Sequence, residues 1–70
     1  MVVVRELKVL TGRRVVVATA KAELRGVVES ATRAFLTLTA ADDVTSGPPR
    51  PIVGFVLIPV PQIAHVQVID

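Results

Sequence analysis

The chain has 70 residues, 51% of them hydrophobic, with no cysteine, one histidine and a formal charge of +2. This length makes one domain, residues 1–70. The composition excludes disulfides and cysteine-based zinc sites, and a lone histidine argues against a transition-metal centre, so neither metal nor cofactor is expected.

The mean hydropathy is +0.63. A domain this small has a modest interior, too small for that many apolar side chains. Large exposed apolar patches are uncommon on monomers, so the composition predicts an oligomer. All of the eight basic residues except Arg33 and Arg50 lie in the first 25 positions. A basic half can meet phosphates; a solvated face is the commoner explanation. From Pro51 to Ile69 there is no Asp, Glu, Lys or Arg. That run does not read as a membrane span, because it contains Pro59, Pro61, Gln62, His65 and Gln67 and its second half alternates with period two. The start, MVVVRELK, lacks the basic region, long apolar core and cleavage site of a signal peptide, which makes the cytoplasm the default location.

Val4 to Thr11 predicts a short helix with Val4, Leu7 and Leu10 on one stripe, after an extended start at Val2-Val3-Val4. Gly12 ends it in the left-handed conformation. Arg13 to Thr19 is β-rich, with Val15, Val17 and Thr19 on one face and Arg14, Val16 and Ala18 on the other. Ala20-Lys21-Ala22 connects it to a second strand beginning at Glu23. The two form an antiparallel hairpin without the usual Asn-Gly or Asp-Gly turn. In the second strand Leu24, Gly26, Val28 and Ser30 share a face. Gly26 marks a bend, a bulge or a close backbone approach. Thr32-Arg33-Ala34 turns the chain into a third strand, Phe35 to Thr39, whose Leu36 and Leu38 point the same way.

Ala40 to Pro51 reads as a loop, with Asp42-Asp43 as a solvated turn and too few oxygen ligands for calcium. Ile52 to Ile58 is apolar on both faces and predicts a strand buried on both sides. Phe55 within it is a core or subunit-contact residue, and Gly54 is a second candidate bend. Pro59-Val60-Pro61 breaks that strand. Ile63 to Ile69 then alternates, with Ala64, Val66 and Val68 on one face and Ile63, His65, Gln67 and Ile69 on the other. The sum is an all-β chain, a small, strongly bent, five-stranded antiparallel barrel preceded by a short helix. The last two strands carry no charge to block edge pairing, so they invite strands of another chain. A heterologous contact of that kind gives a ring when its rotation closes.

The pattern Leu10, Gly12, Val15, Val17, then Leu24-x-Gly26-x-Val28-Glu29-Ser30, then Phe35-Leu36-x-Leu38, resembles the Sm-like (LSm/Hfq-like) family in order and spacing over nearly the whole chain. The resemblance implies a short helix before five bent strands and a homo-oligomeric ring, hexamer or heptamer, joined through the last two strands. It also implies binding of uridine- or adenine-rich single-stranded RNA. The family's RNA contacts cluster in the turn after the second strand. Here that turn holds Thr32 where the family usually has Asp, then Arg33, and Ala34 and Phe35 where it has Asn or an aromatic. The junction of the last two strands normally presents a basic residue; here it is Pro59-Val60-Pro61.

Arg33 is a candidate phosphate ligand or stacking guanidinium, or else a surface charge or an intersubunit partner of Glu29. Phe35 is a candidate base-stacking residue, or else a core or interface aromatic. Arg13 and Arg14 are candidates for RNA on a ring face or rim, or else the solvated base of a hairpin. His65 reads as a surface or interface residue. No Ser-His-acid combination, P-loop or dinucleotide glycine fingerprint is present, so no enzymatic activity is expected. The expected function is a ring binding single-stranded RNA through Arg33, Phe35, Thr32, Arg13 and Arg14. The rival is a ring without RNA, a structural or protein-interaction module, which the Pro-Val-Pro junction and scarce aromatics favour.

Overall fold

The computed structural model describes residues 4–70; of the extended start expected at Val2-Val3-Val4, the first two residues lie outside them and Val4 opens a helix. Helix α1 spans Val4–Lys8 and is shorter than the stripe predicts. The amides of Leu10, Thr11 and Arg13 bond three residues back, to Leu7 at 3.1 Å, Lys8 at 3.2 Å and Leu10 at 2.8 Å, while the Gly12 amide donates to the Val28 carbonyl at 2.8 Å. These tight turns wind the chain down to Gly12, whose φ of 85° is the left-handed conformation that glycine adopts at no steric cost. Leu7 is buried against the strands, so the helix caps one end of the core.

Six strands follow: β1 Arg14–Thr19, β2 Glu23–Ala31, β3 Phe35–Asp43, β4 Arg50–Pro51, β5 Val56–Pro59 and β6 Ile63–Val68. All pairings are antiparallel, in the order β4-β3-β2-β1-β6, with β5 also on β3. The outer edge of β3 is therefore shared. Its first half, Phe35 to Leu38, pairs with β5, and Asp42 and Asp43 pair with β4. Strands β5 and β6 lie on either side of the seam and do not pair with each other among the described residues. The fully buried side chains are Leu7, Val15, Val17, Val28, Leu36 and Leu38, each contributing about 1.5–3 kcal/mol by burial.

Bends make this sheet a barrel, and Gly26 sits at one of its bulges. Arg25 pairs with Asp42 and Val27 with Thr39, so Gly26 alone faces both Ala40 and Ala41. Ala40 takes a positive φ of 50° in that bulge. A Cβ on Gly26 would lie 3.0 Å from the Thr39 carbonyl oxygen and 3.2 Å from Ala41 Cα. The bend and the close approach expected at Gly26 are the same feature.

The structure corrects several expectations. The loop from Ala40 to Pro51 shrinks to residues 44–49, because Ala40 to Asp43 prolongs β3 and Arg50–Pro51 forms β4. Asp42-Asp43 is therefore strand and not a turn. Asp42 pairs with Arg25 of β2 at 3.0 Å, and Asp43 accepts from the Thr45 amide and hydroxyl. The strand expected at Ile52–Ile58 is the shorter β5, preceded by an irregular stretch in which Val53 is 100% and Phe55 63% exposed. Phe55 is thus no part of this chain's own core. Strand β5 buries Ile58 but leaves Leu57 55% exposed, so its second face is uncovered within the chain.

Two further bulges change which residues face inward. Glu29 is an extra residue between the Val28–Leu38 and Ser30–Thr37 pairs, so Ala31 joins Val28 in the core and Ser30 faces out. Ala64 is an extra residue between Ile63 and His65, which pair with Thr19 and Ala18. Ile63 and Val66 consequently both pack on the core, although they were expected on opposite faces.

Candidate nucleic-acid interface

Three connections meet at the seam side of the barrel. The first is the β2–β3 turn. The Thr32 amide donates to the Phe35 carbonyl at 2.9 Å. The Thr32 hydroxyl oxygen accepts from the amides of Ala34 at 3.2 Å and Phe35 at 3.1 Å. Such a side-chain-braced turn holds its backbone without glycine. It also occupies Thr32, whose place here is structural. Arg33 projects from the turn, exposed and in no ion pair among the described residues, the alternative partner Glu29 included. Phe35 opens β3 opposite Pro59 and is 40% exposed, neither core nor fully free.

The second connection is the β5–β6 junction, a 3-10 turn over Val60–Gln62. The Val60 amide donates to the Ala34 carbonyl at 2.9 Å, so the Pro-Val-Pro segment lies directly against the Arg33 turn. The two segments at which the sequence raises the question of RNA contacts are therefore neighbours in this fold. Pro59, Val60 and Pro61 bring no charge to it.

The third connection is the β1–β2 turn, residues 20–22, which the sequence marks only as a polar-flanked link. It is braced like the first. The Thr19 hydroxyl oxygen accepts from the amides of Lys21 at 3.2 Å and Ala22 at 3.1 Å and donates to the Ala22 carbonyl at 3.2 Å. This bracing explains how a hairpin forms without Asn-Gly or Asp-Gly. Thr19, Ala20 and Lys21 face Pro61 and Gln62 across an open groove of about 360 Å³. Lys21 is exposed and makes no ion pair among the described residues. Lys21 is the residue that sequence reasoning passes over. Its signal is the parallel between Thr19-Ala20-Lys21-Ala22 and Thr32-Arg33-Ala34-Phe35, each a threonine followed within two residues by a cation.

Arg13 and Arg14 are not part of this cluster. They lie at the start of β1 beside the end of β6. The Arg13 Nε donates to Asp70 Oδ1 at 2.8 Å and the Arg14 amide to Asp70 Oδ2 at 3.1 Å. These two bonds hold the Asp70 carboxyl below the usual carboxylate range. Asp43 is likewise held low, by the Thr45 hydroxyl first and the Thr45 amide second. His65 is exposed on β6. Among the described residues no group of three or more His, Cys, Asp or Glu side chains could hold a metal ion. No helix there is long and apolar enough to cross a membrane.

No protein-family model matches the chain, and no curated protein sequence matches it. Solved structures do. A heptameric archaeal Sm protein, whose structure was discussed for its bearing on the eukaryotic snRNP core, superposes with a TM-score of 0.79 at 19% identity, covering 94% of this chain and 98% of that one. The SmAP1 heptamer of P. aerophilum superposes with a TM-score of 0.80 at 19% identity, covering 94% of this chain and 90% of that one. At this identity the likeness is one of fold.

Proposed function

We propose that this chain, whose fold is the small bent barrel of the Sm-like proteins, assembles into a homo-oligomeric ring that binds single-stranded RNA and performs no catalysis. The observation that carries the RNA reading is the contact between the Arg33 turn and the β5–β6 junction, closed by the 2.9 Å bond from Val60 to Ala34. It joins to that junction the turn that carries Arg33, in no ion pair among the described residues, and leads into the 40% exposed Phe35. Cationic grooves combined with stacking faces are what single strands need. The ring is supported by the two uncharged edges at the seam, β5 and β6, and by the exposed Leu57 and Val68 upon them. Pairing β6 of one copy with β5 of the next covers both edges. Both solved neighbours are heptamers, and a ring of six or seven copies is the expected size.

The rival reading is the same ring without RNA, a structural or protein-interaction module. The Pro-Val-Pro junction favours it, because that segment offers neither cation nor aromatic face. Titration of labelled oligo-U and oligo-A at several salt concentrations decides between them. Phosphate contacts make log affinity fall linearly with log salt, by about 0.7 per neutralised phosphate on single strands. Absence of binding at low salt leaves only the module. Native mass spectrometry tests the ring separately, and a monomer at every concentration refutes it.

A further inference from the structure

We infer that the groove between the β1–β2 turn and the β5–β6 junction is a nucleotide subsite, in which Lys21 meets a phosphate and Gln62 meets a base edge. The inference rests on the RNA reading above and adds a site to it. The junction itself supplies no charge, yet the fold sets a cation on each side of it, Arg33 beyond Val60 and Lys21 beyond Pro61.

Four observations support this site. Lys21 has no carboxylate partner among the described residues, so its charge is free for a ligand. Its backbone is fixed, because Thr19 accepts the Lys21 amide at 3.2 Å and the Ala22 amide at 3.1 Å. A cation on a fixed turn loses less freedom on binding than one on a loose loop. Gln62 ends the 3-10 turn exposed, with its amide unbonded among the described residues, and an amide both donates and accepts, as base edges require. The volume, about 360 Å³, is at the small end of ligand sites, which suits one nucleotide. Ala20 and Pro61 form the apolar walls against which a base can lie. The Thr19 hydroxyl is already committed to the turn and takes no part.

Lys21 and Arg33 then flank the Val60–Gln62 turn, one on each side, and a strand passing over it meets one and then the other. Gln62 points to base-edge hydrogen bonding in the groove, whereas Phe35 points to stacking on the other side.

The test is an NMR titration of the assembled protein with oligo-U, following backbone amides and the Gln62 side-chain amide. The expected result is movement of the Ala20, Lys21 and Gln62 signals that Lys21→Gln abolishes, with Lys21→Arg restoring it. In parallel binding titrations Lys21→Gln makes the salt dependence shallower by about 0.7 for each Lys21 that meets a phosphate. The melting temperature should stay unchanged, since Lys21 is exposed. Movement confined to residues 32–35, with affinity and salt slope untouched by Lys21→Gln, overturns the subsite and leaves the RNA reading standing. No movement anywhere at low salt overturns both.

Discussion

Replacing Gly26 by alanine tests how the barrel bends. The added Cβ would sit 3.0 Å from the Thr39 carbonyl oxygen, 3.2 Å from Ala41 Cα and 3.3 Å from Ala41 Cβ. A Cβ rarely comes within 3.4 Å of a non-bonded heavy atom, so at each contact the neighbour would have to give by a few tenths of an ångström. Two of the three atoms are backbone and cannot swing aside. They belong to a bulge in which Ala40 is already at a φ of 50°, a conformation that costs a non-glycine residue about 1–2 kcal/mol. Over-packing of this kind costs about 1–3 kcal/mol. Against it stands the smaller conformational freedom of alanine in the unfolded chain, about 0.4–1 kcal/mol. The balance is a loss of about 1 kcal/mol, which for a domain of this size lowers Tm by about 4–8 °C. Gly26→Val should lose more. Thermal unfolding followed by circular dichroism gives the answer, run at several protein concentrations because assembly adds a concentration-dependent contribution. A Gly26→Ala protein that melts at or above the parent temperature refutes the account, and the tight β2–β3 approach would not be what reserves this position for glycine.

Other substitutions separate assembly, turn geometry and charge. Leu57→Asp places a carboxylate on the uncharged outer face of β5; it should convert the ring to monomers in native mass spectrometry while circular dichroism keeps the strand signal, because Leu57 is 55% exposed within the chain. Thr32→Val removes the acceptor of the Ala34 and Phe35 amides. It should cost about 0.5–1.5 kcal/mol of stability and weaken oligo-U binding without touching Arg33 itself. Asp43 and Asp70 are both held below the ordinary carboxylate value. Their folded values lie under the unfolded one, so the stability they contribute is complete above the unfolded value near pH 4 and is lost as pH falls through the lowered folded values. Thr45→Val should raise the Asp43 value toward the ordinary one in a carbon-13 NMR titration and leave Asp70 where it is.

Those features of the fold that depend on neighbours in sequence could be read from it. Alternation put Val15 with Val17 and Leu36 with Leu38, and all four are fully buried. Gly26 announced a bend because a mid-strand glycine gives up packing for backbone freedom. The features that escaped depend on partners distant in sequence. Ala40 to Asp43 has poor strand propensity and looks like a loop, yet β2 is long enough to pair with it and Arg25 meets Asp42. Period-two reasoning also cannot see an inserted residue, so Glu29 and Ala64 each shifted the faces of the residues after them. That Arg33 lies in the turn after β2 and Phe35 opens β3 is legible from the turn-forming stretch Thr32-Arg33-Ala34. Arg13 lies at the exposed base of the hairpin, as one of its two readings has it, but its partner Asp70 is 57 positions away and is not legible. The meeting of Lys21 with Gln62 is illegible for the same reason: the two come together only when β6 folds back along β1.

The Pro-Val-Pro junction looks at first like a loss, since it leaves the place of a basic residue empty. Its backbone suggests a different role. Prolines carry no amide proton, so Pro59 and Pro61 cannot donate to any ladder. Val60 holds the one donor of the three, and it is spent on Ala34. The junction thus links β5 to β6, which do not pair with each other among the described residues, while still bracing the Arg33 turn. Both seam edges stay open for other copies of the chain, as the proposed ring requires. Charge near the junction resides instead on two threonine-braced turns, one on each side. In the proposed ring, assembly and ligand contact draw on different residues: uncharged strand edges for the first, Arg33 and Lys21 for the second. Salt should therefore weaken RNA binding and leave the ring intact, because an interface without charges has nothing for counterions to screen.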